Sequence, residues 1–276
     1  MSSQEQVDQE DTMQLKSAEC ERYRDQGFIS LDPIIAADEV VRLQEIFDRL
    51  FSKPADGGNP LYFDLTGNDP EAELDDGSIP QMLHPSHHAT ELAESLAWHA
   101  ALDIAMQLLD TGDYTRDDLI VRDHAIVKPP GSTGATPWHQ DESYWDDDKT
   151  YQELSVWIAL QETTEEMGCM QFIPGSHKGE VHPHHTWQND PNIIALEIDD
   201  GCVDEANKVP CPLAAGGATV HHCRAAHYTS GNQSAVPRRA FILTIGTPPQ
   251  ALATPRNFYW NRKDRDYKKE YLTKDG

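Results

Sequence analysis

The stretch Trp138-His139-Gln140-Asp141 sets a histidine and a carboxylate two residues apart. Side chains of a β-strand alternate sides with a period of two, so in a strand both groups point to one face and offer two metal ligands. Two histidines and one carboxylate on one face of an octahedron is the ligand set of non-haem Fe(II) oxygenases, and it leaves three positions open. His-x-Asp also arises as a polar pair at a strand end, so the metal reading needs a third ligand on a distant strand that returns beside the first. His227, in Thr219-Val-His-His-Cys-Arg-Ala-Ala-His227-Tyr-Thr-Ser after the Gly216-Gly217 turn, is the best placed; His221 and His222 compete on composition. Alternation from Val220 turns one of those two inward in any register. The remaining histidine patches suit other roles. His84, His87 and His88 precede a predicted helix with no carboxylate at ligand spacing, which reads as capping or surface. Pro183 and its polar surroundings make His182, His184 and His185 a loop.

Helices precede strands along the chain. Residues 1–14 are acidic and almost without apolar groups, which predicts a flexible tail ahead of a single domain over 15–276. A short helix is expected up to Gly27, then a strand at Phe28-Ile-Ser-Leu31. A stronger helix is expected from Ala36, with Val40, Val41, Leu43, Ile46, Phe47, Leu50 and Phe51 on one face. Residues 56–60 and the acidic 69–76 read as loop, and a second helix is expected from Ala89 to about Leu109. This helical part ends near residue 115. From about 118 to 248 the texture changes to short β-type runs (119–127, 154–160, 170–173, 218–220, 240–245) separated by Pro and Gly, the pattern of a jelly roll. Residues 256–276 are aromatic and basic, and are expected to pack on the acidic body or on another subunit.

At 276 residues one hydrophobic core suffices without staples. The balance of 22 Lys+Arg against 47 Asp+Glu gives a formal net charge of −25, which argues against nucleic acid and anionic membranes as partners. Five cysteines, odd in number and without a C-x-x-C pair, argue against a disulfide framework or a zinc ribbon. With no basic-then-apolar leader and no apolar run of membrane-spanning length, a cytoplasmic protein is expected.

Taken in order, Lys128-Pro-Pro-Gly131, Trp138-His-Gln-Asp141, Trp157, Gly168-Cys-Met-Gln-Phe-Ile-Pro-Gly-Ser-His-Lys-Gly179, His227-Tyr-Thr-Ser230 and Arg238-Arg239 resemble the phytanoyl-CoA hydroxylase family of Fe(II)- and 2-oxoglutarate-dependent dioxygenases. The likeness spans about residues 18–248. It implies a mainly β protein, a double-stranded β-helix (jelly roll, cupin-like) with flanking N-terminal α-helices. It implies that His139, Asp141 and His227 are the iron ligands, and that Arg238 binds the distal carboxylate of 2-oxoglutarate. A planar guanidinium pairs with a carboxylate through two hydrogen bonds, as lysine does not; Arg239, its neighbour, faces the other way on a strand. By the same resemblance Thr229 shares that carboxylate, and Gln140 and Trp157 line the cosubstrate pocket. Lys128 is either a surface turn residue or a cosubstrate contact, and the Pro174-Gly-Ser-His177 turn is structural, with His177 not a ligand.

The implied cofactors are Fe(II), 2-oxoglutarate and O2. The implied reaction is hydroxylation of a small-molecule substrate with release of succinate and CO2, with no separate catalytic base. A carboxylate at 141 argues against halogenation. Desaturation, cyclisation and epimerisation stay open, as do a non-catalytic 2-oxoglutarate-binding protein and a homo-oligomer. A metal hydrolase of similar fold would have no need of a clamp such as Arg238 and Thr229. Tyr144 and Trp145 either pack together as aromatics or touch substrate, and residues 60–85 are long enough to close over the site.

Overall fold

The computed structural model describes residues 12–52, 62–65, 77–190 and 193–261. The first helix, α1 (Ser17–Gln26), ends where Gly27 takes φ +85°, a left-handed cap that glycine adopts without Cβ strain. A side chain there would also run into the His177 ring. Extended β1 (Phe28–Leu31) follows, then α2 (Ala37–Phe51), which buries Val40, Leu43, Ile46 and Phe47 at three- and four-residue spacing. Next come β2 (Tyr62–Asp64), β3 (Pro80–Leu83) and α3 (Leu96–Leu108). The last begins later than expected, because the Ser95 hydroxyl caps it, accepting from Trp98 N–H at 3.1 Å. A 3₁₀ turn, Thr90–Leu92, occupies its predicted first residues, and another, Pro85–His87, precedes them.

The strands continue as β4 (Ile120–Lys128), β5 (Thr136–His139), β6 (Lys149–Thr150), β7 (Glu153–Ala159), β8 (Met170–Phe172), β9 (His184–Thr186) and β10 (Leu196–Ile198). After them come β11 (Val209–Cys211), β12 (Ala218–His222), β13 (His227–Thr229), β14 (Arg238–Gly246) and β15 (Gln250–Ala251). They form a seven-stranded sheet in the order β1-β12-β7-β14-β4-β3-β2 and a four-stranded sheet in the order β11-β8-β13-β5. Two short ladders, β9 with β10 and β6 with β15, complete the pairing. Among the described residues every strand pair is antiparallel, as in the expected jelly roll.

Alternation gives the large sheet two different faces. Leu154, Val156, Ile158, Val220, Phe241, Leu243 and Ile245 pack with α2 and α3 in one apolar core. Residues of opposite parity, Phe28, Trp157, Ala159, Ala240 and Ile242, meet Met170, Phe172 and Cys211 of the small sheet. There Phe28 stacks on Phe172 at a centroid separation of 4.5 Å. Chemistry-bearing residues between the sheets must therefore lie on this second face.

Two further expectations change. The segment 60–85 is not a free loop throughout: Tyr62–Asp64 and Pro80–Leu83 are strands tied through β3 to β4, and residues 66–76 lie outside the described residues. The expected loop around His184 holds a strand, β9, because its backbone finds a partner in β10. At the other end of the chain, residues 256–261 pack on the body, as one of the two expectations had it; 262–276 lie outside the described residues. Of the expected tail, 1–11 also lie outside them, while Met13 N–H donates to Asp103 and Leu15 N–H to Gln107, both on α3. Among the described residues no helix is long and apolar enough to cross a membrane.

Leu43, fully buried under the helix-facing side of the large sheet, tests this layer. Leu43→Ala is expected to lower stability by about 2–5 kcal/mol, read as a lower denaturant midpoint with unchanged m-value. A loss under 1 kcal/mol would contradict the packing described.

Candidate metal centre

β13 lies between β5 and β8, and its register sets His227 directly opposite His139. Asp141 is not on the strand as the alternation argument assumed. β5 ends at His139, Gln140 stays extended (φ −121°, ψ 131°), and Asp141 opens a 3₁₀ turn, Asp141–Tyr144. One extended residue past the strand is enough to keep the carboxylate on the side of His139. His139 Nε2 and His227 Nε2 lie 3.7 and 3.5 Å from the same Asp141 Oδ1. One ligand atom from each of the three comes within 4.8 Å of the others, and among the described residues this is the group that could hold a metal ion.

The donor set fits such an ion. His139 Nδ1–H donates to Pro137 O at 2.8 Å and His227 Nδ1–H to Ala225 O at 2.9 Å; a carbonyl only accepts, so each Nε2 presents a lone pair. Burial drives both imidazoles below their ordinary range. Burial also disfavours the Asp141 charge, but the facing His227 and a hydrogen bond from His221 outweigh it and hold the carboxyl below the usual range. Its second oxygen, Oδ2, accepts from Ser155 Oγ at 2.9 Å and His221 Nε2–H at 3.3 Å. That leaves Oδ1 to face the histidines.

Toward the far end of the same face stands a second cluster. Arg238 on β14 and Lys128 on β4 are register partners, and they are 1% and 0% exposed. Lys128 Nζ donates to Thr229 Oγ1 at 2.8 Å and to Ser230 O at 2.7 Å. Arg238 lies over the Trp157 ring, 5.2 Å from its centroid, and one of its terminal nitrogens makes a long 3.4 Å bond to Gly168 O. Among the described residues the Arg238 Nε hydrogen, fully buried, has no partner. Burial lowers the Arg238 guanidinium to about 10, and burial with the neighbouring Arg238 charge pushes Lys128 well below the ordinary lysine range. Among the described residues neither cation has a carboxylate partner. The pair is a preformed seat for an anion.

The other expected residues divide. Lys128 is interior, which removes its surface-turn alternative, and Arg239 turns to the opposite face to pair with Asp48 on α2. His221 is the inward member of its pair. His177, His84 and the 182–185 histidines stay outside the ligand group. The Gln140 amide is engaged by backbone, donating to Arg224 O and accepting from His182 N–H, both at 2.7 Å. Tyr144 stands edge-on to His139, 5.9 Å away, whereas Trp145 packs on Tyr151 and Arg122. Ser155 escaped the sequence reading, although its spacing of two from Trp157 on one strand marks the same face. Glu142, buried between Arg224 and Arg256, had no such signal, because its partners lie 82 and 114 residues away.

A family model described as Phytanoyl-CoA dioxygenase (PhyH) matches residues 23–240. A phytanoyl-CoA dioxygenase domain-containing protein 1 from Danio rerio is 25% identical, covering 88% of this chain and 94% of its own length. The crystal structure of EvdO2 from Micromonospora carbonacea var. aurantiaca complexed with 2-oxoglutarate superposes with a TM-score of 0.76 at 35% identity, over 90% of this chain and 98% of that one. The α-ketoglutarate-dependent carbocyclase SnoK, at 21% identity and TM-score 0.65, shares the fold.

One outer histidine makes the centre's surroundings sensitive to acid. His184, fully buried, accepts from Gln140 N–H at 3.3 Å, and burial holds it at about 3 against the ordinary 6.5. The unfolded chain takes up this proton as pH falls through 6.5 while the folded chain does not until about 3, so this contribution to stability is lost as pH falls across that window. In metal-free protein the urea midpoint should drop between pH 6.5 and 4 more steeply for wild type than for His184→Gln, whose amide oxygen also accepts from Gln140. Parallel curves would refute the assignment.

Proposed function

The chain belongs to the phytanoyl-CoA dioxygenase family, and on that premise we propose that it is an Fe(II)- and 2-oxoglutarate-dependent oxygenase hydroxylating an unactivated C–H bond of a small-molecule metabolite. The observation that carries this reading is the buried Lys128–Arg238 pair, which has no carboxylate partner among the described residues and whose lysine donates to Thr229, two residues along β13 from the ligand His227. Burying cations without a counter-charge costs several kcal/mol per ion, and a dicarboxylate reaching in from the metal centre removes that cost. EvdO2, crystallised with 2-oxoglutarate, is similar over nearly the whole chain and supports the same reading.

His139, Asp141 and His227 would hold the iron, with Asp141 offering Oδ1, since its Oδ2 is engaged by Ser155 and His221. Iron, 2-oxoglutarate and O2 together supply the oxidising power, and the products are succinate, CO2 and the hydroxylated substrate. Arg238 would receive the distal carboxylate on its guanidinium, whose buried Nε–H has no partner among the described residues. Thr229 Oγ1 accepts from Lys128 and still has its own hydrogen to donate to the same carboxylate. Trp157 forms the floor beneath Arg238. Tyr144, beside His139, is the aromatic we place next to substrate, and Trp145 is a packing residue. The five cysteines are all free thiols, which suits a cytoplasmic compartment.

Anaerobic addition of Fe(II) and 2-oxoglutarate is expected to give the visible charge-transfer band of the chelate, followed by succinate release on admitting O2 with a metabolite library. Arg238→Ala should weaken 2-oxoglutarate binding by at least roughly 30-fold, the effect of truncating one partner of a buried charge pair worth about 2 kcal/mol or more. Asp141→Ala should abolish the band. A band of wild-type strength at equal 2-oxoglutarate in Arg238→Ala would refute the cosubstrate assignment.

A further inference from the structure

His139 and His227 are fixed by a sheet register, but Asp141 lies beyond the end of β5, where no ladder hydrogen bond reaches it. Its flanking residues replace the ladder. On one side the Gln140 amide grips Arg224 O and His182 N–H, each at 2.7 Å. On the other, Glu142 N–H donates to Cys223 O at 3.1 Å, and the Glu142 carboxylate, fully buried, accepts from Arg224 Nε–H. Arg224 is therefore held at both its carbonyl and its guanidinium by the two neighbours of one ligand, three residues before the next ligand, His227.

The C-terminal segment closes the arrangement. Arg256 donates to Glu142 Oε1 at 2.7 Å and to Lys149 O at 2.7 Å. Trp260 Nε1–H donates to Ser143 O at 3.1 Å, and Asn261 to Trp145 O at 2.8 Å. Two of these carbonyls, Ser143 O and Trp145 O, lie on or just after the turn that carries Asp141, and Lys149 O lies on β6. Two arginines on one interior carboxylate leave Glu142 paired on both oxygens, an arrangement that tolerates removal of either partner poorly.

We propose that Gln140, Glu142, Arg224 and Arg256 are positioning residues that lock the Asp141 turn to the His227 hairpin, so that the C-terminal segment, about 115 residues from the turn in sequence, sets the affinity of the metal centre. The inference rests on the metal reading given above. Outer partners of metal ligands change metal affinity by about 10–100-fold when removed. That is the loss expected for Glu142→Gln, Arg256→Ala and Gln140→Ala in the full chain, titrated with Fe(II) anaerobically and with Co(II) in air. Because Arg256 acts through Glu142, the double variant Glu142→Gln/Arg256→Ala should bind no more weakly than Glu142→Gln alone, and Arg256→Lys should restore part of the affinity. The Co(II) visible spectrum should shift in the single variants, a change that a merely structural role would not produce. Leu43→Ala is the control: it lowers the melting temperature of metal-free protein while the metal affinity stays within twofold of wild type. Variants that lose stability but bind both metals within twofold of wild type, with unchanged Co(II) spectra, would overturn the lock and leave the metal centre standing. A wild-type chain that binds neither metal, or binds them equally well after His139→Ala, would instead overturn the metal reading itself.

Discussion

Positive charge without a counter-charge, enclosed between two sheets, is the constraint on which the remaining architecture depends. Lys128 and Arg238 face one another across a nine-residue antiparallel ladder, and interior charge of this kind disfavours folding by several kcal/mol per ion. The surrounding structure offsets this in two ways. Neutral acceptors, Thr229 and Ser230 for the lysine and the Trp157 face for the arginine, take part of the field. The long strands β4 and β14, with β7 beside them, bring an apolar face against α2 and α3 that stabilises the sheet independently. The cations are held by strands rather than by a loop, so their positions do not depend on a ligand to order them.

The metal trio and the cation pair belong to one surface with a common origin. β13 contributes His227 to the first and Thr229 to the second, alternate residues on one face of a strand held from both sides. A dicarboxylate chelated at one end and clamped at the other needs that spacing to be rigid. A strand paired on both sides is well suited to it: the ladder with β8 runs unbroken from His227 to Thr229, while the one with β5 shifts register between them.

Local periodicity made much of this visible in the sequence. Leu43, Ile46 and Phe47 at helical spacing, the glycine stop at 27, and the alternating runs of β4, β7 and β14 follow from intervals of two, three and four residues. Trp138-His-Gln-Asp141 disclosed two ligands for the same reason, even though the strand ends one residue earlier than assumed. The misses have a different physical source. Ala89 reads as helix by composition, but one capping hydroxyl at Ser95 decides where the helix begins. The engagement of the Gln140 amide by Arg224 and His182 could not be read either, because no local pattern connects those residues to it. Glu142 and Arg256 reveal nothing singly; their meaning arises only when distant segments are brought together.

The two-faced sheet also has an evolutionary consequence. Along β14, Phe241, Leu243 and Ile245 hold the helices, while Arg238, Ala240, Ile242 and Thr244 look toward the chemistry, and β7 and β4 divide their residues in the same way. Folding and reactivity are thus written on alternate letters of the same strands. Drift at one parity can reshape what enters the site while the other parity preserves the scaffold, so a lineage built on this sheet can explore new substrates without first becoming unstable.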